Sequence, residues 1–192
     1  VYAELEGLLA EEYPDVDIPK LFEFRSWAGS DRDGNPFVTP EVTTDTLERQ
    51  RDVVIGKYLD ALKRLSGSLS QDARRVDVGD ALLDSIEADR ERLPVVGEEV
   101  EARYPSEPYR QKLKLMRERL RRISDVRPDG YTDPAELLAD LDVIHESLCS
   151  TGAEQVAATY VEPLRRQVDT FGFTLASLDL RDHQENHTEA VS

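Results

Sequence analysis

Two short segments that alternate apolar and polar residues lie near opposite ends of the chain, separated by a long stretch with helical periodicity. The alternating segments cover residues 21–27 and 173–181. Short runs of this kind, bounded by proline and glycine, are typical of β-strands. Between them, apolar residues recur every three or four positions, which predicts long helices over residues 40–171. The predicted fold class is therefore mainly α, with long helices and two short strands.

Local signals set the ends of the predicted helices. Thr39 before Pro40, and Asp133 before Pro134, are each an N-cap residue followed by a proline in the first turn. Gly172 stands where glycine commonly ends a helix, and Pro163 predicts a bend in the helix that precedes it. The predicted helices cover residues 1–13, 40–66, 80–92, 95–104, 107–126, 134–148 and 152–171.

Two strands alone do not make a stable sheet, and the sequence leaves two arrangements open. The strands could pair with each other across the helical insert, or belong to a sheet whose other strands lie outside these residues. The chain begins with Val1 rather than methionine and stops at Ser192 within a run of helical character. We therefore expect residues 1–192 to be a single excised part of a longer protein.

The charge and composition argue against several classes of protein. The chain has 24 Lys and Arg against 40 Asp and Glu, a net charge of −16, which disfavours binding to nucleic acid or to an anionic membrane. No apolar run approaches the length of a membrane span, and the acidic N-terminus is unlike a signal peptide. We therefore expect a cytoplasmic protein. The single Cys149 excludes a disulfide framework or a cysteine-based zinc site within the chain.

Lysine is scarce, with 5 Lys against 19 Arg, while carboxylates are spread along the whole chain. A dispersed acidic surface that avoids lysine favours a protein that works in concentrated salt, where ions screen the repulsion between its charges. This pattern indicates a halophilic source, an archaeon in particular. The alternative is an ordinary acidic protein from a genome rich in G and C, which also favours arginine over lysine.

The densest polar segment is the loop at residues 29–36, directly after Trp27 and the first predicted strand. Its charged and amide side chains are Asp31, Arg32, Asp33 and Asn35. A calcium loop is excluded because the glycine and glutamate it needs at its sixth and twelfth positions are missing. The loop is either a solvated turn or a functional loop in which two carboxylates hold Arg32 rigid.

Arg181 stands at the C-terminal end of the second predicted strand. Ligands of parallel α/β proteins bind at the carboxyl ends of strands, where an arginine can grip a phosphate or carboxylate through two donors. The alternative role is a structural ion pair with Asp182 or Glu185. His183 and His187 could share one helix face as a metal pair, but no third ligand is evident and a capping or solvated role is the alternative.

Residues 112–122 carry six basic side chains and one acidic side chain (KLKLMRERLRR). Two interpretations are open for this basic helix. It can contact nucleic acid, or it can form ion pairs inside the protein or with another subunit. The net negative charge of the chain favours ion pairs.

Two long motifs together resemble the phosphoenolpyruvate carboxylase family. Residues 24–43 (FRSWAGSDRDGNPFVTPEVT) resemble its F-G-S-W-x-G-G-D-R-D-G-N-P-x-V-T-x-E-V-T segment, and residues 107–110 match its E-P-Y-R. Residues 168–191 (VDTFGFTLASLDLRDHQENHTEAV) resemble its F-G-x-x-L-x-x-L-D-[IV]-R-Q-E-S-x-x-H-T-E-A segment. Arg25 and Ser30 replace glycines of the first motif, Ala28 replaces a larger apolar residue, and D-H-Q replaces Q-E-S after Arg181.

The resemblance implies a fold and a reaction. The two strands, at about residues 21–27 and 173–181, would be successive strands of an (α/β)8 barrel, incomplete here, and residues 40–171 its helical elaboration. The family's reaction converts phosphoenolpyruvate and bicarbonate to oxaloacetate and phosphate with Mg²⁺ or Mn²⁺, and the enzyme is a homotetramer.

The resemblance also implies roles for individual residues. Arg181 would bind the phosphate of phosphoenolpyruvate, and Trp27 would line the apolar pocket for CO₂. The loop residues Asp31, Arg32, Asp33 and Asn35 match the family without an assigned step. The catalytic histidine and the metal ligands would lie outside these residues, so the chain alone is expected to be inactive. The alternative function is a free-standing helical scaffold or interaction domain that uses residues 112–122.

Overall fold

The computed structural model describes residues 2–13, 20–33, 35–69 and 78–181. In this part of the chain the helices are α1 (Tyr2–Glu12), α2 (Pro40–Ser68), α3 (Asp80–Arg92), α4 (Pro94–Arg103), α5 (Pro108–Ser124), α6 (Pro134–Ser150), α7 (Glu154–Val156), a π-helical turn (Ala157–Val161) and α8 (Glu162–Phe171). The strands are β1 (Arg25–Ser26) and β2 (Ser177–Leu178). None of the described helices is long and apolar enough to cross a membrane.

The hydrophobic core lies between the long helices. Helix α5 packs against both α2 and α3, and α6 packs against α8. The apolar positions that recur at helical spacing point into this core: Ile55, Leu62, Leu113, Leu120 and Leu141 are all fully buried. The prediction of a mainly α fold is confirmed, because the helical periodicity of the sequence is the periodicity of burial.

The capping signals operate as the sequence predicts. The Thr39 hydroxyl accepts a hydrogen bond from the backbone N–H of Val42 at 3.5 Å, and α2 begins at the next residue, a proline. The Asp133 carboxylate accepts a hydrogen bond from the backbone N–H of Ala135 at 2.7 Å at the start of α6. Gly172 follows α8 with φ +55°, a backbone conformation that residues other than glycine rarely adopt.

The helix predicted over residues 152–171 is interrupted rather than merely bent. A short α-helical turn leads into the π-helical turn at Ala157–Val161, and α8 begins with Pro163 in its first turn. Proline lacks the N–H that the preceding turn would use, and its ring pushes away the carbonyl four residues earlier. The wider π turn accommodates this displacement with one extra residue.

The two strands pair with each other in parallel, with Arg25 opposite Ser177 and Ser26 opposite Leu178. Both are shorter than the alternating segments at residues 21–27 and 173–181. Among the described residues each strand has a single neighbouring strand. After residue 27 the chain turns, and an isolated bridge between Asp31 and Arg181 then pairs it once more with the segment that follows β2. Of the two arrangements that the sequence left open, direct pairing is therefore observed.

Some of the basic side chains of helix α5 point into the core. Lys112 is fully buried, and its ammonium group donates to Asp89 and to Asp140 at 2.6 Å each. Arg119 donates to the same two carboxylates at 3.3 and 3.2 Å. These two basic residues of the 112–122 segment therefore form an internal ion-pair face, which is the interpretation that the net charge favours.

Tyr131 and Glu136 complete this buried charge cluster. The Tyr131 hydroxyl donates to Asp140 at 2.6 Å, and the Arg119 guanidinium lies 3.8 Å from the centre of the Tyr131 ring and also donates to Glu136. Burial, followed by the negative charge of Asp140, raises the pKa of Tyr131 well above its ordinary value. The hydroxyl therefore keeps its proton at neutral pH and remains a donor.

Candidate functional site

The candidate site lies at the carboxyl ends of the two parallel strands. Because β1 and β2 run in the same direction, the chain leaves both of them at the same edge of the sheet. The N–H of Arg32 donates to the carbonyl of Arg181 at 2.8 Å, and the N–H of Arg181 donates to the carbonyl of Ser30 at 3.2 Å. The loop after β1 and the segment after β2 are therefore held side by side.

Trp27 and Arg181, which the sequence singles out separately, meet at this edge. The Arg181 guanidinium carbon lies 5.0 Å from the centre of the Trp27 ring, a cation–π contact. Both side chains are exposed, with 56% of Trp27 accessible to solvent. The arrangement presents the N–H edge of a planar cation, through which an anionic group can be bound, directly beside an apolar wall.

The four polar residues of the loop after β1 have different surroundings. Asp31 is half-buried and lies opposite Arg181 in the isolated β-bridge. Arg32 turns towards the start of α2, and Asp33 is exposed. The Asn35 amide oxygen accepts a hydrogen bond from the N–H of Phe37 at 3.1 Å, so this side chain shapes its own turn. The structure thus brings the backbone of both Asp31 and Arg32 to Arg181, while the side chains of Arg32 and Asn35 point elsewhere.

Thr43 connects the loop to α2, and sequence reasoning missed it. It is buried, and its hydroxyl donates to the carbonyl of Gly29 at 2.8 Å and accepts from the Arg32 guanidinium at 3.4 Å. The Nε of Arg32 is buried without a hydrogen-bond partner among the described residues. A hydrogen bond from Thr39, together with the nearby charge of Arg32, lowers the pKa of Glu41. The first turn of α2 therefore supports the loop with both charge and hydrogen bonds.

Gly29 makes the tight turn of this loop possible. Its φ is +85°, and a Cβ atom placed on it would lie 2.2 Å from the Thr46 hydroxyl oxygen. A side chain at this position would therefore both strain the backbone and collide with α2. The turn that carries the chain from Trp27 towards Arg181 needs glycine here.

Replacing Gly29 with Ala is expected to lower the free energy of unfolding by about 2 kcal/mol or more, from the backbone strain and the collision together. The matched control is Gly56→Ala in α2, where nothing lies within 4 Å of the added Cβ. That change should raise stability by roughly 0.5–1 kcal/mol, because alanine favours the helix. Urea denaturation of both variants measures the difference, and equal effects at the two positions would contradict the expectation.

Trp27 and Arg181 lie exposed at the surface that the described residues form. Two cavities, of about 440 and 320 Å³, lie beside α8 and the segment that leads into β2, and neither is lined by these two residues. No group of three or more His, Cys, Asp or Glu side chains within the described ranges is arranged to hold a metal ion. Asp182, Glu185 and the possible metal pair His183 and His187 lie outside the described residues.

Comparison with known proteins gives a consistent result over the whole chain. The family model of phosphoenolpyruvate carboxylase matches residues 1–192. The phosphoenolpyruvate carboxylase of Prochlorococcus marinus strain MIT 9215 is 38% identical over 95% of this chain and 21% of its own length. That of Roseiflexus castenholzii is 37% identical over 100% of this chain and 22% of its own length. The Synechocystis enzyme is 38% identical over 96% of this chain, and this chain covers 19% of it.

Proposed function

The chain belongs to the phosphoenolpyruvate carboxylase family, and we propose that it is part of a longer enzyme that converts phosphoenolpyruvate and bicarbonate to oxaloacetate and phosphate. The chain spans about a fifth of the length of the curated relatives it matches. In the proposed enzyme, β1 and β2 are neighbouring strands of an (α/β)8 barrel, and the remaining strands come from other parts of the protein. Their parallel pairing and the polar residues at their carboxyl ends support this arrangement.

In the proposed reaction, bicarbonate attacks the phosphoryl group of phosphoenolpyruvate. The products of this step are carboxyphosphate and the enolate of pyruvate. Carboxyphosphate then breaks down to phosphate and CO₂, and the enolate carbon attacks the CO₂ to form oxaloacetate. The two steps need different surroundings, since phosphoryl transfer needs positive charge and the enolate needs a dry pocket.

Arg181 supplies the positive charge in this proposal. Its guanidinium binds the phosphate of phosphoenolpyruvate and stabilises the negative charge that spreads over the phosphoryl oxygens during transfer. The observation that supports this role is the position of Arg181 at the strand end, where the guanidinium is exposed beside Trp27 at 5.0 Å. The bridge to Asp31 fixes its backbone.

Trp27 supplies the apolar wall. Its indole would line the space in which CO₂ waits for the enolate, and it would exclude the water that could protonate the enolate instead. The contact between Trp27 and Arg181 supports this role. One carboxyphosphate releases both the phosphate and the CO₂, so the phosphate-binding cation and the CO₂ pocket must lie within a few ångströms of each other. We assign no chemical step to Asp31, Arg32, Asp33 or Asn35.

The proposed enzyme needs groups that the described residues do not provide. The catalytic histidine and the ligands of Mg²⁺ or Mn²⁺ would come from other parts of the full-length protein. A bound divalent cation would neutralise charge on the phosphate and the enolate oxygen. We further propose that the full-length enzyme is a cytoplasmic homotetramer. These 192 residues on their own would not turn over substrate.

The experiment that tests the proposed function is an assay of the purified full-length protein with phosphoenolpyruvate, bicarbonate and Mg²⁺. We expect equal amounts of oxaloacetate and phosphate, with formation of both depending on bicarbonate. Assay of the 192-residue chain under the same conditions is expected to yield neither product. Failure of the full-length protein to form oxaloacetate would overturn the proposal.

We also propose that the acidic surface is an adaptation to salt, although the relatives named above are bacterial and lend no support to an archaeal source. With a net charge of −16, the folded chain repels itself, and raising the salt from about 10 mM to about 1 M shortens the screening length from about 30 Å to about 3 Å.

The Tm is therefore expected to be higher in 1 M KCl than in 10 mM KCl, by about 10 °C or more. Thermal unfolding followed by circular dichroism measures both values. Equal Tm values in the two buffers would show an ordinary acidic protein, in which the excess of arginine reflects codon composition alone.

A further inference from the structure

The hydroxyl of Ser30 joins the two strand ends that carry the candidate site. Ser30 is fully buried, and its Oγ lies 2.9 Å from the carbonyl oxygen of Asp179 and 3.2 Å from that of Trp27. Ser30 and Asp179 are 149 positions apart in the sequence. One side chain of the loop after β1 therefore reaches directly to the strand that leads to Arg181.

The neighbouring hydrogen bonds show which acceptor the hydroxyl serves. A hydroxyl has one proton to donate. The Trp27 carbonyl already accepts from the backbone N–H groups of Ser30 and Asp31, at 3.0 and 3.1 Å. The Asp179 carbonyl is also the nearer acceptor, so the hydroxyl donates across the gap between the two chain segments.

The backbone of Ser30 makes a second connection to the same strand end. Its carbonyl accepts the N–H of Arg181 at 3.2 Å. Asp179 and Arg181 stand on either side of Leu180, so the residues before and after Leu180 both form hydrogen bonds with Ser30. The N-terminal side is held by the hydroxyl and the C-terminal side by the carbonyl.

We propose that Ser30 is a positioning residue that holds the end of β2 at the distance at which the Arg181 guanidinium stacks on Trp27. The consequence for catalysis rests on the proposed function, but the positioning itself does not. Without the hydroxyl, the end of β2 keeps its backbone hydrogen bonds to Ser26, Ser30 and Arg32 and the exposed ion pair with Arg25, but it loses its buried side-chain contact. The strand end can then move away from Trp27. A displacement of this kind misplaces the phosphate-binding cation relative to the apolar wall.

Arg25 is the other side chain of this region that reaches Asp179, and it is the weaker one. Its guanidinium lies 3.7 Å from the Asp179 carboxylate, with 60% and 43% of the two side chains exposed. Exposed ion pairs are screened by water and salt. Both Arg25 and Ser30 replace glycines of the family motif, so the side-chain connection from β1 to Asp179 goes beyond that motif, and Ser30 is its buried part.

The positioning is tested first by NMR on the 192-residue chain, whose only tryptophan is Trp27. Stacking on an indole shifts the side-chain protons of Arg181 upfield through the ring current, and Trp27→Ala defines the unshifted position. We expect Ser30→Ala to move these signals most of the way to that position. The control is Ser26→Ala, which removes a hydroxyl that, among the described residues, accepts from the nearby Ala28 N–H. This change should leave the signals in place. An unchanged Arg181 spectrum in Ser30→Ala overturns the proposal.

The second test measures kcat/KM for phosphoenolpyruvate in the full-length protein. Ser30→Ala should lower it about tenfold, while Ser26→Ala should stay within about twofold. Because Ser30 acts through Arg181, adding Ser30→Ala to an Arg181→Lys variant should cost less than about twofold. A full tenfold loss in both backgrounds would show a structural role unrelated to Arg181 and would overturn the proposal. If the unmodified full-length protein forms no oxaloacetate, the proposed function fails, and the NMR result alone decides the positioning role.

Discussion

Replacing Arg181 with Lys in the full-length protein is expected to lower kcat/KM for phosphoenolpyruvate by about 100-fold or more. Lysine keeps the positive charge but loses the planar pair of donors that matches two phosphoryl oxygens. If the guanidinium tightens on the phosphoryl group as charge builds up, the variant should lose kcat as well as affinity. Steady-state kinetics over a range of phosphoenolpyruvate concentrations separates the two effects.

The control for this prediction is Arg127→Lys, the same substitution at an exposed arginine that pairs with Asp125. It should leave kcat/KM within about twofold. A value near that of the unmodified protein for Arg181→Lys would mean that Arg181 is a structural ion-pair partner and not a phosphate ligand.

Replacing Lys112 with Met is expected to lower the free energy of unfolding by about 3–5 kcal/mol. The methionine fills the volume of the lysine but leaves Asp89 and Asp140 buried with Arg119 as their remaining cation. Removing one partner from a buried ion pair costs far more than the pair itself contributes, because the other charge stays away from water without compensation. Urea denaturation of the 192-residue chain measures the loss.

Lys63→Met is the matched control, because Lys63 lies on an exposed position of α2. The substitution there should change stability by no more than about 0.5 kcal/mol. A small effect at Lys112, equal to that at Lys63, would show that the buried cluster tolerates the loss of its central cation.

The sequence predicts the helices well because the signals that start and stop them are local. Thr39 and Asp133 cap helices through hydrogen bonds to residues two or three positions away, and Gly172 ends α8 through its own backbone conformation. The π-helical turn before Pro163 was not predicted. Proline signals a disturbance, but whether a helix bends or widens depends on what packs around it.

The buried charge cluster lay beyond sequence reasoning for a different reason. Lys112 stands in a run of basic residues that looks solvated, and its partners Asp89 and Asp140 come from two other helices. Only the packing of α3, α5 and α6 brings the three together. The net charge favoured ion pairing for this helix, and Lys112 and Arg119 do form ion pairs, but the charge could not identify which side chains turn inward.

The sequence indicates which residues are candidates for the site, but it does not predict how they are arranged. Trp27 and Arg181 stand out individually, as an aromatic residue and a cation at strand ends. Their contact depends on the parallel register of β1 and β2, which nothing local specifies. Ser30 attracts attention in the sequence only as a departure from a glycine of the motif, since its buried hydroxyl acquires a role from the distant Asp179.

The most direct test of whether Trp27 and Arg181 form one phosphoenolpyruvate carboxylase site is the ratio of phosphate to oxaloacetate released by full-length variants. In Arg181→Lys both products should fall together, because the first step is slowed. In Trp27→Ala water should reach the enolate, so phosphate should be released in excess of oxaloacetate, with pyruvate making up the difference. Equal amounts of phosphate and oxaloacetate from Trp27→Ala, at the rate of the unmodified enzyme, would contradict the assignment.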